Sequence, residues 1–279
     1  MIVPEEIKKC IAFICEDSKD GPIPRATGFF VSVPSEKFPE KYNWLYFITA
    51  RHASAKLNGN LLLRLNGLDN KAKYIKISDV AWHFHPNHSN DPVDVAVISI
   101  SPIPDIDMKW FPVEGIMTPE LFEKEGVGIG SEVFITGLFS KVSGENKNSP
   151  IVRIGNLAMY PEEKIKTKDF GDMKAYLIEA RSIGGVSGSP VFFCADPFAH
   201  IPKGSILYAT GNSRPRFFLG GLIHGHWDIS DEQVDFDTSV DKNINIGVAS
   251  VVPGYKIKET LFSDELIQDR KKKDETLKD

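Results

Sequence analysis

The stretch WLYFITARHASA, residues 44–55, carries a run of large apolar side chains into Thr49-Ala50 and then sets Arg51 and His52 at its end. Trp, Leu, Tyr, Phe and Ile in succession have the composition of a buried β-strand, and the small residues that follow mark where the strand gives way to a turn. An imidazole at that point is out of place unless it has a partner. Segments of the same kind recur on both sides: CIAFICE (10–16), TGFFVSV (27–33), NLLLRLN (60–66), VDVAVISI (93–100), SEVFITGL (131–138), IVRIGNLAMY (151–160), KAYLIEA (174–180), SPVFF (189–193), FFLGGLIHG (217–225) and NINIGVASVV (243–252). Each has strand length and Val, Ile, Phe or Tyr enrichment, with turn residues between. Eleven such segments without helical repeats between them predict an all-β architecture, which hides its edges by closing into barrels or stacking as sandwiches.

Two regions break the rhythm. Residues 101–130, opening with SPIPDIDMKWFPVEG, are rich in Pro and acids and read as a linker between halves. The end, YKIKETLFSDELIQDRKKKDETLKD (255–279), has Ile257, Leu261, Leu266 and Ile267 at helical spacing, followed by a charged run that reads as a frayed, solvated tail. The expected divisions are 1–110, 111–258 and a closing helix with tail over 259–279.

Bulk properties exclude several classes. With 279 residues, 42% of them hydrophobic, the chain can bury a large core. A net charge of -5 offers no field for nucleic acid, and no apolar run is long enough to span a membrane. The first twenty residues, MIVPEEIKKCIAFICEDSKD, are interrupted by Pro4, Glu5, Glu6, Lys8 and Lys9 and lack the apolar stretch of a secretory signal, so a cytoplasmic location is expected. Cys10, Cys15 and Cys194 cannot all pair and are expected as reduced thiols. None of them sits in a glycine-rich turn.

Chemistry concentrates in three places. SIGGVSGSPVFF (182–193) sets Ser187 among glycines and stiffens at once into Pro190 and a strand. That pattern is a plain β-turn or a hydroxyl presented beside inward-facing amides. His52 ends the strand quoted above. In WHFHPNHSNDPVDVAVISI (82–100), Asp94 enters an apolar strand, where a lone carboxylate costs several kcal/mol and requires a donor such as an imidazole N–H. Asp91 is the rival acid, placed by Pro92 in the preceding loop. His83, His85 and His88 lie close together, but with no Cys and no obvious fourth ligand they are not read as a metal site.

Together these segments resemble a trypsin-like serine peptidase of the chymotrypsin fold, in its bacterial branch. GFFV before FITARHA resembles the strand pair leading to the family's histidine, and HFHPNHSNDPVDVAVI its acid segment. SEVFITGL resembles the first strand of its second barrel, GGVSGSPVF its nucleophile hairpin, and NINIGVASVVPGYKIKETL the last strand and closing helix of the high-temperature-requirement and glutamyl endopeptidase types. The order His52, Asp94, Ser187 is that of the chymotrypsin group. The resemblance spans roughly residues 10–262. It implies two six-stranded antiparallel β-barrels with a C-terminal helix. It also implies a Ser-His-Asp endopeptidase in which Ser187 attacks, His52 shuttles the proton, Asp94 orients the ring, and the N–H groups of Gly185 and Ser187 form the oxyanion hole.

Departures refine the expectation. Val186 stands where digestive members carry the aspartate that receives a freed N-terminus, so no activation cleavage is expected, and Ser189 replaces a common glycine. Arg181 and the strand GGLIHGHW, with His224 and Gly225, fall where the substrate side chain is recognised. Cationic Arg181 and His224 would favour an acidic side chain or polar amide; the competing reading pairs Arg181 with Glu179 and packs His224 in the sheet. No cofactor and no metal are expected. The partner is a protein or peptide substrate, neither nucleic acid nor membrane, with a separately encoded regulator left open. The alternative function is a catalytically inactive fold of this type that binds protein or peptide. An esterase using the same serine is a third reading.

Overall fold

All eleven apolar segments form strands in the computed structural model, which describes residues 2–57, 60–167, 171–180, 186–195, 216–229 and 244–277. The N-terminal half comprises α1 (Glu5–Lys9), β1 (Ile11–Glu16), β2 (Ile23–Pro34), β3 (Asn43–Thr49), α2 (Arg51–Ser54), β4 (Leu61–Asn66), β5 (Ala72–Ile77), β6 (His83–Phe84), β7 (Ala96–Ile100) and β8 (Phe111–Pro112). The C-terminal half adds α3 (Pro119–Lys124), β9 (Glu132–Gly137), β10 (Ile151–Met159), β11 (Ile165–Thr167), β12 (Gly171–Met173), β13 (Tyr176–Glu179), β14 (Pro190–Cys194), β15 (Phe217–Ile229) and β16 (Ile244–Pro253). It closes with α4 (Gly254–Leu261) and α5 (Asp264–Thr276).

The two halves differ from the expected pair of closed barrels. In the C-terminal half, β10, β13, β16, β15, β14 and β9 close on themselves. The N-terminal strands instead form an eight-stranded open sheet, ordered β5-β4-β1-β2-β3-β7-β6, with β8 parallel to β2. The ends of this sheet are protected without closure. The edge strand β5 reads AKYIKI and is half-exposed, carrying Lys73 and Lys76, and β6 at the other end is only two residues long. Charged and very short edge strands both discourage further pairing.

One apolar core runs through the N-terminal sheet and into the junction, where Phe47, Phe111, Phe134, Phe192 and Leu222 belong to a single cluster. A second fills the closed barrel around Phe122, Tyr176, Ile178 and Phe193. The segment 101–130 is more than a linker. Ile106, Met108, Phe111, Val113, Ile116, Met117 and Phe122 are all buried, so its apolar residues feed both cores. The boundary expected at 110/111 falls beside β8, whose residues pair with Val31 and Ser32 of the first sheet.

The C-terminus also differs from expectation. The charged run is helical through Thr276 and docks on the N-terminal sheet. Asp274 accepts hydrogen bonds from Ser35 Oγ (2.7 Å), Trp44 Nε1 (2.9 Å) and the Glu36 N–H (2.9 Å). Arg270 donates to Tyr46 Oη (3.0 Å) and Leu261 O (2.8 Å). Burial by itself pushes the Asp274 carboxyl up, but the donors from Ser35, Trp44 and the backbone together hold it below the usual carboxylate range. Among the described residues, no helix is long and apolar enough to cross a membrane.

Candidate active site

Strand β3 ends at Thr49, and extended Ala50 leads into the single turn of α2, of which His52 is the second residue. This abrupt change from strand to turn lifts the imidazole off the sheet and points it back at the segment entering β7. There Asp94 is fully buried. Its Oδ1 accepts the His52 backbone N–H at 2.9 Å, and its Oδ2 lies 2.7 Å from His52 Nδ1. An ionised carboxylate only accepts, so Nδ1 carries the proton in this contact. Burial pushes the Asp94 carboxyl up, yet the hydrogen bonds from His224 and His52 outweigh it and keep the group far below the usual range.

The rival acid is engaged elsewhere. Asp91 pairs with Lys164 (2.9 Å) and with Lys256 of α4 (3.3 Å). The three neighbouring histidines likewise have separate partners: His83 Nδ1 meets Glu265 (3.1 Å), His85 Nε2 meets Glu259 of α4 (2.7 Å), and His88 Nδ1 accepts the Val93 N–H (3.2 Å). The loop from His85 to Val93 is thereby tied to α4 on one side and folded on itself on the other.

Ser187 lies in the turn before β14. Gly188 adopts φ +78°, a left-handed conformation in which a side chain is strained. A Cβ there would also fall inside contact distance of Thr27 O and Thr49 Oγ1. The turn is pinned from three directions. Ser189 N–H donates to Val186 O (2.8 Å), Gly188 N–H to Ile223 O of β15 (2.8 Å), and Thr27 N–H of β2 to Ser187 O (3.0 Å). Thr27 is fixed in turn, its carbonyl accepting Thr49 Oγ1 at 2.8 Å and its hydroxyl accepting the Leu138 N–H at 2.9 Å. Ser187 and His52 line one cleft of about 670 Å³, with Ala26 and Arg25 on its wall.

His52 and Asp94 are therefore in direct contact, and His52 lines one cleft with Ser187. Arg181, Gly184 and Gly185 lie outside the described residues. Gly225 is half-buried in β15. His224, expected at the substrate side chain, is buried and turns its Nδ1 to Asp94 Oδ2 at 2.6 Å, its ring edge-on to His52 with centroids 5.6 Å apart. Sequence reasoning missed Gly188 and Thr27. The glycine directly after Ser187 was the available signal; nothing local marks Thr27.

The thiols do not compete as nucleophiles: burial pushes Cys10 and Cys15 up to about 12 and Cys194 up to about 11. Among the described residues, one group has ligand atoms close enough to surround a metal ion, and it is His52, Asp94 and His224. Its N–O spacings of 2.6 and 2.7 Å are those of hydrogen bonds. Ligand atoms around a tetrahedral ion stand about 3.3 Å apart, as bond lengths near 2.0–2.1 Å require. The arrangement as it stands is a carboxylate clasped by two imidazoles.

No family model matches the sequence, nor does any curated protein. Among solved structures, the chain is similar in fold to the active form of the Rv3671c protease from M. tuberculosis, with 14% identity, a TM-score of 0.47, and 91% of this chain and 80% of that one covered. It is also similar to Deg5, at 13% identity and a TM-score of 0.48 over 91% of this chain and 88% of that one. A third is the HtrA-type protease AlgW with a decapeptide, at 12% identity and a TM-score of 0.49, covering 96% of this chain and 66% of that one.

Proposed function

We propose that the chain is a serine endopeptidase that hydrolyses peptide bonds through Ser187, His52 and Asp94. The observation carrying this reading is the buried Asp94 carboxylate 2.7 Å from His52 Nδ1, which supports Nε2 as the base in a ring lining the same cleft as Ser187. In this reaction His52 Nε2 takes the Ser187 proton as Oγ bonds to the substrate carbonyl carbon and the C=O π pair moves onto oxygen. The tetrahedral intermediate then collapses, the C–N bond breaks, and His52 returns the proton to the departing amine. Water, deprotonated by the same nitrogen, attacks the acyl carbon; the C–Oγ bond then breaks, His52 returns the proton to Ser187 Oγ, and the acid product leaves. Asp94 holds the ring's tautomer and stabilises its cationic form.

The oxyanion that forms needs N–H donors near Ser187, and the Ser187 amide with that of Gly185 is the proposed pair. The tight packing under Gly188 supports this role, because a turn that cannot shift keeps its amides aimed. For specificity, Arg181 remains the proposed cation facing an acidic side chain or polar amide, while His224 is given a different task below.

A fluorophosphonate probe tests the proposal. The folded wild-type chain should be modified at Ser187, and Ser187→Ala should not react. Turnover of a casein substrate should fall by something on the order of 10⁶ in that variant if the three residues act as a unit. A correctly folded wild type that neither reacts with the probe nor cleaves protein overturns the peptidase reading and leaves a binding protein.

A further inference from the structure

Asp94 has one donor more than a base-orienting carboxylate needs. His52 supplies two hydrogen bonds, its backbone N–H to Oδ1 and its ring Nδ1–H to Oδ2. The third comes from His224 on β15, 130 positions away in the other half of the molecule, at 2.6 Å. Both lone pairs of Oδ2 are therefore directed at imidazoles, which stand edge to face. Asp94 is fully buried and His224 nearly so, which leaves water little room to replace the His224 ring; the His52 side chain is 26% exposed.

We propose that His224 is a positioning residue of the active site: by donating its Nδ1–H to Asp94 Oδ2 it locks the carboxylate's rotation and limits the negative charge that Asp94 directs at His52. This inference rests on the serine peptidase reading and deepens it. Two consequences follow from the chemistry. A carboxylate with a free lone pair rotates and loses alignment with Nδ1, and a buried acceptor left unsatisfied is costly. Conversely, an acceptor shared between two donors attracts each of them less. Sharing therefore limits how strongly Asp94 can hold the charged form of the His52 ring. The low range of the Asp94 carboxyl, to which His224 contributes, is consistent with such sharing.

The bond also joins the halves. Thr27 of the N-terminal sheet holds Ser187 of the barrel, and His224 of the barrel holds Asp94 of the sheet, so each half fixes a reacting element of the other. This reciprocal arrangement makes the distance across the cleft depend on both bonds.

The experiment compares full-length wild type with His224→Leu, His224→Gln and His224→Asn, reading the second-order rate of Ser187 fluorophosphonate labelling from pH 5 to 9. Asn presents an amide N–H near the position of Nδ1; Leu has no donor; Gln carries its amide one methylene too far. Labelling should slow about 10- to 100-fold in Leu and Gln, the loss expected for a hydrogen bond to a charged acceptor. Asn should recover most of the rate. The half-maximal pH should move upward in Leu and Gln and stay near wild type in Asn. The other charged groups that act on Asp94, Arg51 of α2 and His88 of the acid loop, are the same in every variant, so the shift isolates His224.

If Leu fails to fold, the contrast of Gln with Asn decides. A labelled wild type whose rate and pH profile survive all three substitutions overturns this inference alone, and so does an Asn variant as slow as Gln with the wild-type profile. No labelling of folded wild type overturns the peptidase reading and this inference with it.

Discussion

The acid loop from His85 to Val93 and the nucleophile turn from Val186 to Ser189 serve one cleft, and they are held by different forces. The acid loop is tied by charged and imidazole contacts: His85 to Glu259, Asp91 to Lys164 and Lys256, Asp94 to His52 and His224. Among the described residues, the hydrogen bonds of the nucleophile turn run backbone to backbone, with no ionised partner. It is held by space, with Gly188 pressed against Thr27 O and Thr49 Oγ1. The parent sheets differ in the same sense. The closed barrel supplies a rigid frame whose turns can be set by sterics alone, whereas the open sheet leaves its loop to be fastened from outside by α4. One side of the site should therefore respond to volume, the other to charge and pH.

The sharpest way to break this contrast is at Gly188. Alanine there must carry a Cβ at φ +78° and push it into a backbone carbonyl that has no room to yield. The left-handed conformation costs roughly 1–2 kcal/mol and overpacking roughly 1–3. Gly188→Ala should thus lose about 2 to 5 kcal/mol in urea unfolding, and surviving folded protein should label poorly at Ser187. Gly225→Ala is the control on the neighbouring strand, since its Cβ meets nothing within 4 Å; it should change stability by less than about 1 kcal/mol. Equal, small losses at both positions would show that the nucleophile turn is not held by packing.

The second comparison concerns charge on the first sheet. Asp274→Ala removes the acceptor for Ser35, Trp44 and the backbone N–H groups of Glu36 and Lys37. At neutral pH the cost should be on the order of 2–3 kcal/mol, with α5 loosened. The wild-type carboxyl is held below its unfolded value, so its contribution is complete above the unfolded pKa near 4 and is lost as pH falls through the folded one. Wild type and variant should therefore begin to converge in stability as pH falls below about 4 and meet only below the lower folded value. A difference that stays constant from pH 7 to pH 2 would mean that Asp274 acts through packing and not through its charge.

How much of this was legible follows from the same contrast. The eleven long strands announce themselves because burial on one or both faces demands runs of apolar residues. The open first sheet does not, because what distinguishes it from a barrel is the absence of pairing between two edge strands, one lysine-bearing and one two residues long. The charged part of α5 after Ile267 reads as a solvated tail because no apolar stripe continues beyond that residue. Asp274 and Arg270, which anchor it, carry the charges that a periodicity argument assigns to solvent. His52 and Asp94 stood out as polar groups at the ends of buried strands. The orientation of His224 did not, since alternation along GGLIHGHW says which face a side chain takes but not which carboxylate lies opposite.

The smallest effect separates local from global fastening. Glu259 is about half exposed, so its contact with the buried His85 ring should contribute no more than about 1 kcal/mol to overall stability. Yet, with Lys256–Asp91, it ties α4 to the acid loop among the described residues. Glu259→Gln should leave the urea midpoint nearly unchanged while amide exchange across Asn87–Val93 accelerates roughly 3- to 10-fold, because local opening is governed by the few contacts that close that loop. Ser187 labelling should slow by less than about threefold, since Asp94 keeps both imidazole partners. If exchange in this loop stays as slow as in wild type, the loop is held by its own turns and the apolar packing beneath Val93 and Val95, and α4 has no share in setting the acid.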